Sequence, residues 1–130
     1  MTTIRSRLVP ALLTKDMAAT LGFFERLGFR LTGCDTDRAT ATWAEVQRDD
    51  VVFQFHTEPP HGTPTEPVCS GTFYVSPARV SELAEEYQAA GIPFAWGPEI
   101  MEYGMNEFAI RDPNGYFIAF SEPSPTAETP

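Results

Sequence analysis

The sequence predicts an α+β domain made of two βαβββ modules that form a curved mixed sheet with a central cleft. Three observations predict it. Two amphipathic helical stripes lie far apart, each flanked by β-rich segments. The segment order of the first half recurs in the second. Phe24-Glu25-Arg26-Leu27-Gly28-Phe29 matches Tyr87-Gln88-Ala89-Ala90-Gly91-Ile92 at a spacing of 63 residues, and Asp50-Val51-Val52-Phe53-Gln54-Phe55 matches Gly115-Tyr116-Phe117-Ile118-Ala119-Phe120 at 65. A long period present only twice indicates a duplicated module and not a solenoid. Between the halves, residues 58–67 hold four prolines in ten positions, which forbids regular structure there. The expected domain is 1–122, with modules at about 7–57 and 70–122, a Pro-rich linker at 58–69 and a flexible tail at 123–130.

Residues 8–13 form a short strand, and Pro10 marks it as an edge or as a strand that leaves its own subunit's sheet. Asp16 is a helix N-cap. Met17, Leu21, Phe24 and Leu27 share one helical face, and Gly28 closes the helix. Strands follow over 29–31 and 39–46, then a turn at Arg48-Asp49-Asp50 and a strand over 51–56. The Pro-rich segment is a linker or a flap. In the second half a strand spans 71–75, and Ser76-Pro77 supplies an N-cap with proline at the first helical position. Val80, Leu83, Ala84 and Tyr87 make the helical stripe, which Gly91 ends. Strands over 92–96, 106–111 and 116–121 complete the chain, the last two joined by the tight turn Asp112-Pro113-Asn114-Gly115.

A helix covers one face of such a sheet, and the other face stays concave. Alternation sorts the strand residues. Phe53 and Phe55 point one way, and Val52, Gln54 and His56 the other. Ile118 and Phe120 point one way, and Phe117, Ala119 and Ser121 the other. The more apolar sets pack on the helices, so the Gln54 and Ala119 sets line the cleft.

Composition narrows the partners. Eighteen acids against nine bases give a net charge of −9, which repels phosphate and argues against nucleic acid. It favours a cationic ligand, although acidity also serves solubility alone. No apolar run approaches the ~20 residues of a membrane span. No apolar stretch follows the N-terminus as in a secretory signal, so a cytoplasmic location is expected. Cys34 and Cys69 form no CxxC pair or ligand cluster and are expected to be reduced thiols.

Four segments carry a resemblance that covers residues 7 to 122. They are Val9-Pro10-Ala11-Leu12-Leu13-Thr14-Lys15-Asp16, Glu25-Arg26-Leu27-Gly28-Phe29, Arg48-Asp49-Asp50-Val51, and residues 103–115 with the sequence YGMNEFAIRDPNG. The chain resembles the vicinal-oxygen-chelate superfamily of glyoxalases, bleomycin-resistance proteins and extradiol dioxygenases, and within it the bleomycin-resistance-type binding proteins. Metal-dependent members carry His, Glu or Gln at four inward positions. Here those positions are Val9, Gln54, Ser70 and Ala119, and Gln54 alone could ligate a metal. The resemblance therefore implies no metal, no other cofactor and no catalytic residue. It implies sequestration of a long cationic drug with flat rings, in grooves between two subunits that exchange their N-terminal strands at Pro10.

Such a ligand calls for aromatic faces and acids. Trp43, Phe73, Trp96 and Tyr103 are the stacking candidates; Trp43 and Phe73 would serve a core equally well, and Trp96 a lid or a satellite core. Gln54, His56, Phe117 and Ala119 belong to the cleft-facing sets. Glu107 is an acid candidate by location, with Asp35, Asp37, Glu45, Glu99 and Glu102. Leu31-Thr32-Gly33-Cys34 lacks the acidic and aromatic residues that some resistance proteins have after the first helix, so another amphipathic natural product remains open beside bleomycin. Two alternatives stand next to sequestration. One is a glyoxalase- or dioxygenase-type enzyme with a displaced metal on Gln54, His56 and Glu45; the other is a module that binds another protein through its acidic face.

Overall fold

Side-chain caps and strand alternation set the elements of the computed structural model, which describes residues 1–5, 7–59, 61 and 64–124. They are β1 (Ala11–Leu13), α1 (Met17–Arg26), β2 (Arg30–Cys34), β3 (Trp43–Arg48), β4 (Val51–His56), β5 (Thr72–Val75), α2 (Val80–Ala89), β6 (Trp96–Ile100), β7 (Met105–Arg111) and β8 (Phe117–Pro123). The chain forms two four-stranded mixed sheets, ordered β1-β4-β3-β2 and β5-β8-β7-β6. In each, the first strand runs parallel to the fourth and the remaining pairs are antiparallel. The duplication is therefore one of topology as well as of sequence, and the fold is α+β.

Asp16 caps α1 by accepting the Ala19 N–H at 3.0 Å, and Gly28 leaves the helix at φ +89°. Several boundaries differ from expectation: β1 starts at Ala11 and not at residue 8, β2 runs over Arg30–Cys34 and not 29–31, and three further differences have an identifiable cause. Helix α2 starts at Val80 and not at Pro77. Arg79 stands at its N-cap without a side-chain cap bond, and the Val80 N–H donates to Glu122 Oε1 at 3.1 Å instead. Strand β3 starts at Trp43 and not at residue 39, because Asp37 Oδ1 accepts the Ala39 and Thr40 N–H groups and Asp35 Oδ1 those of Thr42 and Trp43. Strand β6 lies at Trp96–Ile100 and not at 92–96. Ile92 is a buried loop residue, and the register of β6 on β7 shifts between Trp96 and Glu99, around a cis Gly97-Pro98 peptide. Strand β8 continues to Pro123, one residue into the expected tail; residues 125–130, and Pro60, Gly62 and Thr63 of the linker, lie outside the described residues.

Both modules contribute to one core. Leu21 and Phe24 of α1, and Val80, Ala84 and Tyr87 of α2, cluster with Phe53, Phe55, Phe108, Ile110, Ile118 and Phe120 of the sheets. The Phe24 ring lies 5.3 Å from Phe53 and 5.1 Å from Phe55. Each such ring stabilises the fold by roughly 1.5–3 kcal/mol through burial. Polar clamps fix the modules to each other at both ends. Arg48 pairs with Glu86 at 2.6 Å, and Tyr87 Oη donates to the Leu27 carbonyl at 2.8 Å. At the other end Asn114, from the β7–β8 turn, accepts from Thr14 Oγ1 at 2.7 Å and donates to Thr20 Oγ1 at 3.0 Å. Tyr116 Oη donates to the Leu13 carbonyl at 2.8 Å. None of the described helices is long and apolar enough to cross a membrane.

Burial pushes the Tyr87 and Tyr116 phenols up to about 12. Both rings are nearly inaccessible, and an unfolded tyrosine titrates near 10. The native state thus holds protons that the unfolded chain has lost, so stability falls as pH rises from about 10 to about 12. The expected loss is about 1.4 kcal/mol per pH unit for each ring. Urea unfolding at about pH 9 and about pH 11.5, with phenolate absorbance as the titration readout, measures it.

Candidate functional site

The strand residues that point away from the core form two polar-aromatic faces, one on each sheet. On the first sheet, Glu45 and Gln54 are cross-strand partners on β3 and β4. Trp43 Nε1 donates to Gln54 Oε1 at 3.4 Å, Gln54 Nε2 donates to Glu45 Oε1 at 3.0 Å, and Thr32 Oγ1 donates to Glu45 Oε2 at 2.8 Å. These donors hold the Glu45 carboxyl below the usual range, Gln54 contributing most. The Trp43 indole lies across Gly33, where a Cβ would stand 3.3 Å from two ring carbons. The segment 31–34 therefore supplies a hydroxyl and a flat seat for an indole.

On the second sheet, Glu107 of β7 is fully buried and opposite Ser121 of β8. Its carboxylate accepts from Trp96 Nε1 at 2.8 Å, Tyr103 Oη at 2.7 Å and Ser121 Oγ at 3.2 Å. The bond to Glu107, and then one to Tyr74, raises the Tyr103 phenol above its ordinary value. The rings of Trp96 and Phe117 lie 5.6 Å apart, and the Arg111 guanidinium sits 5.2 Å from the centre of the Phe117 ring. Tyr103 and Tyr74 are exposed. The two faces share a plan: the third strand of each module carries a glutamate that takes hydrogen bonds from both neighbouring strands.

The sequence-predicted residues are thus distributed. Trp96, Tyr103, Glu107 and Phe117 come together, with Ala119 as a buried floor opposite Ala109. Trp43 and Gln54 come together on the other sheet. No hydrogen bond or ring contact among the described residues joins the two groups. Phe73 stands with the core: it neighbours Ile118 in register and its edge meets Phe53 at 5.7 Å. His56 turns toward the linker, its Nδ1 2.7 Å from the Glu58 carbonyl oxygen. Sequence reasoning passed over Thr32 and Arg111, and it placed Ser121 on the inward face without a role. Their strand positions were readable, and Glu45 and Glu107 were acid candidates by location; the bonds of Thr32 to Glu45 and Ser121 to Glu107, and the seat of Arg111 on Phe117, were not.

The four superfamily metal positions do not suit a metal here. The Val9 and Ala119 side chains have no donor atom, Ser70 offers only a neutral hydroxyl, and the Gln54 amide is engaged by Trp43 and Glu45. Among the described residues no three His, Cys, Asp or Glu side chains come together.

A duplicated βαβββ chain with a polar-aromatic outer face on each sheet defines a paired-module protein. The chain belongs to the glyoxalase/bleomycin resistance protein/dioxygenase superfamily, which it matches over residues 7–120. It is 30% identical over 119 residues to a bleomycin resistance protein of Klebsiella pneumoniae, covering 84% of this chain and 86% of that one. Among solved structures it is similar to a bleomycin-binding protein complexed with bleomycin, with TM-score 0.70, 23% identity and coverage of 91% and 98% of the two chains. It is also similar to TnmS3, an antibiotic binding protein from a Streptomyces species, with TM-score 0.73, 19% identity and coverage of 95% and 100%.

Proposed function

We propose that this protein binds and sequesters a small cationic or amphipathic drug or metabolite of the bleomycin type, without a metal and without chemical turnover. The observation that carries this reading is Glu107. It is a carboxylate removed from water, held by three neutral donors, and no ion pair with it occurs among the described residues. A buried anion without a counter-charge is costly. A cationic group of a ligand, resting against Trp96, Phe117 and Tyr103, offsets that cost. The kinship with a bleomycin resistance protein supports the ligand class.

The groove itself is completed by a second copy of the chain. Each polar-aromatic face supplies one wall, and pairing the first sheet of one protomer with the second sheet of its partner supplies two. Exchange of the segment before Pro10 fits this assembly. Ile4 and Leu8 are apolar and almost wholly exposed in one chain, and β1 begins only at Ala11. Wild-type chains then carry two grooves per homodimer.

Calorimetric titration with metal-free and copper-loaded bleomycin tests the reading. The expected result is one drug per chain, weaker binding at higher salt, and a roughly tenfold loss in Tyr103→Ala. The drug should be recovered unchanged. Its disappearance with time, or the absence of heat and of thermal stabilisation, would contradict the proposal.

A further inference from the structure

His56 and the space beside it take no part in the groove. A carbonyl oxygen can only accept, so the Nδ1 that faces Glu58 at 2.7 Å carries the proton of the neutral ring. Nε2 is then a bare acceptor. It is the one buried side-chain nitrogen or oxygen among the described residues with no hydrogen-bond partner. A buried polar atom left unmet needs an explanation. His56 also forms one wall of a half-open cavity of about 120 Å³, lined among the described residues by Ala11, Leu12 and Leu13 of β1, Pro64 and Val68 of the linker, and Tyr116. The Tyr116 hydroxyl does not satisfy Nε2, because it donates to the Leu13 carbonyl at 2.8 Å. Two described linker residues make contacts of their own: the Glu58 carbonyl with His56, and Glu66 with Lys15 Nζ at 2.7 Å.

We propose that this cavity is a second binding site, for a compact apolar molecule or group that carries one O–H or N–H donor, such as a phenol. Three physical points select that class. The unmet atom is an acceptor, so the ligand brings the hydrogen. The walls that the described residues supply are mostly apolar, so an ammonium group would leave further N–H donors unpaired. An apolar cavity of roughly 150 Å³ is known to hold a benzene, so one this size, open at one side, admits a single ring.

The test is a titration of the full chain, with histidine nitrogens labelled, against phenol and against anisole, which has a similar body and no donor. It is run above the ordinary histidine titration range. The free protein should show a protonated Nδ1 and a bare Nε2. Phenol should shift the Nε2 resonance saturably and bind roughly tenfold tighter than anisole. His56→Phe should erase that preference. Equal binding of phenol and anisole, no saturation, or a proton on Nε2 in the free protein would overturn the proposal. The phenol–anisole comparison needs no substitution, so it stands even if His56→Phe fails to fold.

Discussion

Gly97→Ala is expected to destabilise the fold by about 3 kcal/mol or more, enough to abolish most of a small domain's stability. Gly97 sits in β6 at φ +76°, where an L side chain is strained. A Cβ there would lie 2.2 Å from the Glu107 carbonyl oxygen and 2.9 Å from the Phe108 Cα. Both are backbone atoms of a central strand and cannot step aside. Strand β6 would have to lift from β7, and with it the Ala95 N–H bond to the Ala109 carbonyl and the Trp96 bond to Glu107. Gly22→Ala is the control. Gly22 lies within α1 with nothing within 4 Å of an added Cβ, so alanine should stabilise by about 0.5–1 kcal/mol. Urea unfolding of the two variants reads both signs. A Gly97→Ala protein as stable as the parent would mean that the β6–β7 approach is wrong.

Glu107→Gln should leave the fold within about 1 kcal/mol of the parent and weaken binding of a cationic ligand by roughly tenfold to a hundredfold. The amide can be seated. The Trp96 N–H only donates, so the amide oxygen must face it, and the amide nitrogen then faces the Tyr103 and Ser121 hydroxyls, which can rotate to accept. What disappears is the charge. The same substitution should bring the Tyr103 phenol down toward its ordinary value, because the bond to Glu107 is the largest cause of its rise. A phenolate titration of the variant checks the geometry independently of any ligand. A lowered Tyr103 titration with unchanged affinity would leave the site intact and remove Glu107 from ligand recognition.

Much of this was legible in the chain, and the gaps have physical causes. Local signals worked where the partner is near in sequence: the Asp16 cap, the closing glycines at 28 and 91, and the alternation of Phe53 and Phe55 against Gln54. They failed where the partner is remote. The start of α2 depends on Glu122, 42 residues away, so a good cap at Ser76-Pro77 goes unused. Alternation says that Phe73 points opposite to its neighbours, but only the parallel register with Ile118 says that this direction is the core. It likewise sorts the Gln54 and Ala119 sets from the apolar ones without saying how the two sheets meet. The Phe-rich faces pack on Phe24 of α1 and Tyr87 of α2 within one core, which leaves the two polar sets on the opposite face of each sheet. Glu45 and Glu107 stood among six acid candidates by location alone, and what sets them apart comes from donors on neighbouring strands.

Exchange of protomers tests the central claim, that a groove joins the first sheet of one chain to the second sheet of its partner. Trp43→Ala removes the aromatic of one face and Glu107→Gln the acid of the other, so each homodimer should bind bleomycin poorly. In a mixed dimer of the two variants, one groove takes both altered walls and the other takes both intact ones. The account predicts that coexpressed, separately tagged chains recover wild-type affinity at one drug per mixed dimer. A mixed dimer that binds no better than its parents would place each site within a single chain and contradict the account.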